Sequence, residues 1–526
     1  MKVPVGIDER LEQYRPAIVK AEGLTQSERY LAKLAERSFL NLWSYPNPYR
    51  DQKVGGKGIG KELCDLLVVC GDHIIIFSEK TIGWTNGDTC TAWNRWSKAA
   101  IRGALKQLKG AERWIRDFPD RIFLDPECKQ EFPIALPNHG QAKLHRIIVA
   151  RGASEACREF HAEKSGSLVL DPTLRAGDHW PKDPSLISPF VVGDLDPEQG
   201  FVHVFDEVSL DVVLGELDTI RDLTDYLDKK ATFFRSGRMP VLTEERDLIA
   251  YYSVRVNRAG EHDFVPDHNN GFRQTAGAYE RWVRNPQYQA KKDADKVSYV
   301  WDQLIELFTT HMLNGTSIVL EGYDFQLKRN EVAVRTMALA RRFARRQYGE
   351  AVLEALDAGR RSDSFCRLIM SGEVSEDNDT AFFIMTLKYL PAMDKSGGYE
   401  NYRKLRTQRA EFYAKGILLR YPKLKRVVGV CREPPLQGGG VSEDIVYAEQ
   451  HEWTAEDRVS IIEGCKVHGI LQGQLVGKSM NGQEYPEVDT VKFTQPIRRK
   501  QGASMNRRER RAQLAKEKRL GKRQRR

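Results

Sequence analysis

Lys61 to Thr81 reads KELCDLLVVCGDHIIIFSEKT, and within it Asp65, Ser78, Glu79 and Lys80 have the types and spacing for chemistry on a phosphodiester. An acid on one strand and an acid-x-Lys triplet ending its partner is an arrangement that holds a divalent cation beside a scissile phosphate. Carboxylate and backbone carbonyl oxygens are the hard ligands Mg²⁺ prefers, and the ion keeps waters available for attack. A lysine alongside can orient water and offset charge building on the phosphate. The same residues also read as an ordinary buried hairpin with a charged end.

The elements that must position these groups can be read around them. Two apolar runs flank Gly71-Asp72, which predicts a hairpin. Side chains alternate along a strand, so Ser78 and Lys80 share a face and Glu79 points away. Upstream, the pattern predicts a helix from Gln26 to Trp43, with capping-box spacing at Thr25 and Glu28 and an end before Pro46 and Pro48. Within it Glu36, Phe39, Leu40 and Trp43 fall at i, i+3, i+4 and i+7. A carboxylate in that row is paired, at the row's edge, or a ligand.

Downstream, Lys98 to Arg116 is amphipathic, with Ile101, Ala104, Leu105, Leu108, Ala111, Trp114 and Ile115 at helical spacing. Lys98, Arg102, Lys106, Lys109, Arg113 and Arg116 form a cationic stripe that could follow a phosphate backbone or be a solvated face. Trp84, Trp93 and Trp96 crowd the preceding segment, where they stack on bases or close the core.

The order helix-Glu, strand-Asp, strand-x-Lys, helix resembles the PD-(D/E)XK nuclease superfamily, particularly its restriction-endonuclease-like and nuclease-related-domain branches. The resemblance covers residues 25 to 117. It implies Glu36 as the helix acid, Asp65 as the first-strand acid and Lys80 as the lysine. It also implies Mg²⁺ (or Mn²⁺) as cofactor, held by Glu36 and Asp65 with a backbone carbonyl near Ser78. Ser78 stands where the family has Glu, Asp or Gln. Glu79 on a bulged strand, or Glu62 from the first strand, would supply the missing oxygen.

Gly55 to Lys61, GGKGIGK, fits the start of a phosphate-binding loop, but Glu62 replaces its Ser/Thr and a strand follows where a helix is required. The segment reads as a charged loop in which Lys53, Lys57 and Lys61 face substrate. Eight cysteines are scattered without a C-x-x-C pair, which suits reduced thiols in a cytoplasmic protein. No run approaches the ~18 apolar residues of a membrane span, and MKVPVGIDERLEQ has no apolar signal core. The 526 residues carry +9, whereas residues 498 to 526 alone carry +12, so the first 497 carry −3. That tail is too poor in apolar groups to fold alone and reads as a disordered basic segment.

Between these parts, Ala142 to Ala150, Phe190 to Val192 and Phe201 to Phe205 read as strands, and Leu210 to Leu227 as a helix with an acidic face. From Thr243 the pattern is mainly helical, over Val297 to Leu313, Asn330 to Tyr348 and Glu400 to Ala414. Arg335, Arg341, Arg342, Arg345 and Arg346 suggest a second basic face, and Ala381 to Leu390 is a buried strand or helix. Arg426 to Cys431 and Ser442 to Tyr447 read as strands around Gly438-Gly439-Gly440.

The expected fold is a restriction-endonuclease-like α/β domain over residues 1–150, a mixed sheet flanked by helices. An α+β extension over 151–242, a mainly helical α+β region over 243–497 and a basic tail over 498–526 follow it. The expected function is metal-dependent hydrolysis of nucleic acid, with DNA favoured, in which Asp65, Lys80, Glu79 and Ser78 form the catalytic group. Two alternatives are an inactive nuclease-fold protein that binds nucleic acid, and an interaction subunit of a cytosolic assembly. In the latter the helical half carries protein partners or homo-oligomer contacts.

Overall fold

The computed structural model describes residues 17–52, 59–162, 165–266, 276–317, 327–371, 378–434, 442–472 and 482–488. Lys53, Lys57 and most of the glycine-rich loop lie outside them, as do Gly438 to Gly440 and the basic tail. The chain is mixed α/β and divides into two compact units. One comprises residues 19–290 with 487–526, the other 1–18 with 291–486.

The first unit begins with α1, Gln26–Phe39, capped by Thr25, whose side chain accepts the Glu28 N–H. It buries Leu31, Ala32, Ala35 and Phe39. The helix stops at Phe39, because Leu40 adopts φ 63, and a 3-10 turn over Asn41–Trp43 follows. Short strands come next: β1 (Ser44–Pro46), β2 (Tyr49–Arg50) and β3 (Lys61–Glu62). Then β4 (Leu66–Cys70) and β5 (His73–Thr81) form the expected hairpin, with Gly71 at φ 60 in its turn.

The cationic segment is longer than its pattern indicates. Helix α2 (Thr89–Ser97) passes through a π turn at Lys98–Arg102 into α3 (Gly103–Asp117). After β6 (Ile122–Phe123), β7 (Lys143–Arg151) lies parallel to β5. Further on come α4 (Ser154–His161), β8 (Val169–Arg175), β9 (Val191–Asp194) and β10 (Val202–Phe205). The unit continues with α5 (Glu207–Glu216), α6 (Ile220–Arg235), β11 (Thr243–Glu244), α7 (Glu245–Ser253) and α8 (Ala278–Val283).

The central sheet has the order β1-β4-β5-β7-β10, antiparallel through β1, β4 and β5 and parallel from β5 to β10. A parallel neighbour requires a crossover, which α2 and α3 supply between β5 and β7. Both faces of the sheet are covered, so β4 is buried throughout and β5 from His73 to Glu79, which accounts for their unbroken apolar runs. The expected boundary at residue 150 falls inside this sheet, since β10 is its outer strand. Two small sheets, β3-β2-β6 and β11-β8-β9, complete the unit.

The unit boundary falls within α9, Pro286–Asp295. The second unit has α10 (Tyr299–Leu313), α11 (Leu327–Ala338) and α12 (Arg342–Arg361). Strands β12 (Ser364–Met370) and β13 (Thr380–Leu387), helix α13 (Gly398–Arg420), strands β14 (Arg426–Arg432) and β15 (Glu443–Glu449) and helix α14 (Ala455–Val467) follow. The region read as mainly helical is therefore built on a four-stranded sheet, β12-β13-β14-β15. The Ala381 to Leu390 segment supplies its buried strand β13.

The second basic face is not formed. Arg342 and Arg345 turn inward onto Asp302 at 2.7 and 2.6 Å, and Arg346 onto Asp295 at 2.7 Å. Three buried guanidiniums are retained because each finds a carboxylate, and Arg345 also donates to the Ala340 carbonyl at 3.0 Å.

Candidate active site

Register brings the first group together. Leu66 pairs with Phe77, so Asp65 lies opposite Ser78, and the Asp65 N–H donates to the Phe77 carbonyl at 3.2 Å. The Lys80 ammonium is 3.5 Å from Asp65 Oδ2. Two further donors hold the Asp65 carboxylate: the Glu79 N–H at 2.5 Å and Gln107 Nε2 of α3 at 3.3 Å. Asp65 is 5% exposed, so these three donors replace the water it loses.

Glu62, next to it, is the electrostatic singularity of the site. Burial, a hydrogen bond with Asp65 and the Asp65 charge together raise its carboxyl to about 7. Near neutrality Glu62 therefore holds its proton far more readily than an ordinary glutamate. Asn47 Nδ2 donates to Glu62 Oε1 at 3.3 Å and to Glu28 Oε2 at 2.9 Å. Glu28 Oε2 also accepts the Leu24 N–H at 2.9 Å, which ties the start of α1 to the site. Asn47 is fully buried with φ 45, a left-handed conformation that asparagine tolerates, and its Oδ1 has no hydrogen-bond partner.

The sequence-predicted residues divide between those that converge and those that do not. Asp65 and Lys80 meet, and Glu62 reaches in from β3. Ser78 is fully buried and donates to Gln107 Oε1 at 2.9 Å, so it braces Gln107 and offers its hydroxyl to no ligand. Glu79 does not turn toward Asp65. The β5–β7 pairing runs without a bulge from His73 to Thr81. On the other face, the Glu79 carboxylate accepts from Ser27 at 3.1 Å and Thr81 at 2.7 Å and pairs with Arg151 at 3.2 Å. Only its backbone N–H serves Asp65, and burial raises its carboxyl.

Glu36 is corrected as well. It is exposed, and it stands eight residues beyond Glu28 on α1, about 12 Å along the axis and ~80° around it. The acid that α1 sends to the site is Glu28.

Glu28, Asn47 and Gln107 were missed by sequence reasoning. Glu28 carried a signal, its capping position, but that spacing explains the residue without a site. Gln107 is a lone amide between Lys106 and Leu108. Asn47 lies in Pro46-Asn47-Pro48, which reads as a turn.

The cationic stripe lies on the helix that carries Gln107. Lys98, Arg102, Lys106, Arg113 and Arg116 are exposed. Lys109 pairs with Asp196 at 2.9 Å, and Arg116 with Asp117 at 2.9 Å. Trp93 and Trp96 are buried and stack at 5.2 Å, and Trp84 stacks on Phe190 at 5.1 Å, so these rings serve the core.

The donors fit a hard cation in kind: two adjacent carboxyl groups and an amide oxygen without a partner, all oxygen. Among the described residues no group of three or more His, Cys, Asp and Glu side chains is arranged to hold a metal ion. Two carboxylates are what Mg²⁺ commonly takes from protein, with water and phosphate completing its shell. No helix among the described residues is long and apolar enough to cross a membrane. All eight cysteines are free thiols.

Compared with known proteins, the chain matches no family model, no curated protein and no solved structure.

Proposed function

We propose that the first unit is a metal-dependent phosphodiester hydrolase of the PD-(D/E)XK type, acting on nucleic acid with DNA favoured. The observation that carries this reading is the hydrogen-bonded Glu62–Asp65 acid pair, with the Lys80 ammonium 3.5 Å from Asp65. Two acids pushed together in a partly buried site repel once ionised, and a divalent cation removes that repulsion. The element order supports the reading: helix, three antiparallel strands, crossover helix, parallel strand.

Glu62 and Asp65 would hold the ion, and Asn47 Oδ1, buried beside Glu62 without a hydrogen-bond partner, would be a further oxygen donor of the right kind. When bound, Mg²⁺ supplies charge neutralisation at the phosphate and a more acidic water. Lys80 places a positive charge beside the acid pair, where it orients water and stabilises the charge that grows on the phosphoryl oxygens. Gln107 and the Glu79 N–H keep Asp65 in one orientation, and Ser78 keeps Gln107 in place. The exposed cations of α2 and α3 offer a track for the phosphate backbone.

The test is nicking of supercoiled plasmid. Wild type cuts with Mg²⁺ and not with EDTA, while Asp65→Asn and Lys80→Ala lose cutting and keep a cooperative melt. Cutting by both variants at the wild-type rate would remove the assignment. A second reading, an inactive fold that binds nucleic acid, is favoured by Ser78 at the acid position; salt-sensitive binding with no metal-dependent cutting would select it.

A further inference from the structure

Arg50, on β2, is a half-buried arginine without a counter-charge. Its Nε is buried with no hydrogen-bond partner, and among the described residues its guanidinium has neither an ion pair nor a hydrogen bond. Buried arginines elsewhere in the unit are matched: Arg146 meets Asp196 at 2.8 Å. Burial lowers the pKa of Arg50, with no carboxylate opposing that effect.

Its surroundings are rich in positive charge, although one of the cations, Arg121, pairs with Asp51 at 3.7 Å. Arg50 is directly opposite Lys61 across the β2–β3 pair, a like-charge juxtaposition that destabilises a sheet. Arg50 lies over the Trp114 ring at 5.7 Å and Arg121 over the same ring at 5.5 Å. Trp114 is fixed by its indole N–H, which donates to the Arg121 carbonyl at 3.1 Å. At Gly110 of α3 an added Cβ would stand 4.0 Å from Arg50 Nη1, so no side chain covers the charge there.

The patch lies beside the acid pair. Tyr49 and Glu62 pair on one side of the β2–β3 ribbon, and Arg50 and Lys61 are the next pair along it, facing the other way. On α3, Gly110 is one turn, about 5 Å, beyond Gln107, which holds Asp65.

We infer that Arg50, with Lys61 and Arg121, forms an anion site that grips a backbone phosphate of the nucleic acid next to the one at Glu62 and Asp65. The identity of the anion rests on the hydrolase reading above. A planar guanidinium held on an aromatic ring presents its fork to phosphate oxygens, and the ligand's charge relieves both the desolvation and the Arg50–Lys61 repulsion.

The experiment is fluorescence anisotropy of a labelled DNA duplex and a labelled single strand in EDTA, over about 50 to 200 mM salt, with wild type, Arg50→Gln and Arg50→Lys. Arg50→Gln is expected to weaken binding about tenfold and to reduce the slope of log affinity against log salt by about one. Arg50→Lys restores the slope, and the melting temperature of Arg50→Gln is not lowered. Equal affinity and slope in Arg50→Gln, a lowered melt with unchanged binding, or no binding of either probe by wild type overturns the inference. The hydrolase reading fails separately: Arg50-dependent binding without metal-dependent nicking sinks that reading and leaves this site. Nicking with Arg50-independent binding does the reverse.

Discussion

Replacing Glu62 by Gln tests the raised carboxyl of Glu62 through stability alone. Glu62 titrates near 4.5 when unfolded and at about 7 in the fold. Between those values the native state binds more protons than the unfolded state, so stability falls as pH rises from 4.5 to 7 and then levels. The full shift corresponds to ~3 kcal/mol. Glu62 is partly open to solvent, and screening reduces the effect to about 1–2 kcal/mol. Glu62→Gln keeps the shape and removes the titration. In EDTA it should match wild type near pH 4.5 and exceed it near pH 8 by about 2–6 °C in melting temperature. The assay is differential scanning calorimetry across that range. A constant difference between the two proteins at every pH would refute the raised Glu62 carboxyl.

Four further substitutions have expected outcomes of their own. His73 Nδ1 and His145 Nε2 are 3.1 Å apart in the sheet, and burial lowers them to about 3 and about 4. The unfolded chain then takes up protons that the native chain refuses, so each histidine costs about 1.4 kcal/mol per pH unit as pH falls from 6.5 toward 4; His145→Gln should flatten the acid limb of a urea-melt series. Arg345→Ala leaves Asp302 buried with only Arg342 and should cost about 3–5 kcal/mol in chemical denaturation. Glu36→Ala should leave stability within about 0.5 kcal/mol and nicking unchanged, whereas Glu28→Ala, which frees Asn47, should slow nicking in the same plasmid assay.

The hairpin and its register were legible because a two-residue turn between apolar runs leaves few alternatives, and alternation then decides which side chains share a face. Asp65, Ser78 and Lys80 followed from that alone. Glu36 was misread for a physical reason: the apolar row containing Leu40 and Trp43 exists only if the helix continues, and Leu40 at φ 63 ends it. The inward arginines of α12 were illegible because their partners, Asp302 and Asp295, lie between 40 and 51 residues upstream. Helical spacing cannot distinguish a solvated guanidinium from one that meets a distant carboxylate. Gln107, Asn47 and Arg50 gain their meaning only from chain pairings that bring α3, β2 and β4 together.

The central claim is that Glu62 and Asp65 form one cation site beside Lys80. Electron paramagnetic resonance of Mn²⁺ titrated into the protein near pH 8 tests it most directly, because free Mn²⁺ gives the signal and bound ion removes it. The account predicts one bound ion per wild-type chain, displaced by Mg²⁺ and lost in both Glu62→Gln and Asp65→Asn. Undiminished Mn²⁺ binding in both variants, or none in wild type, would contradict it.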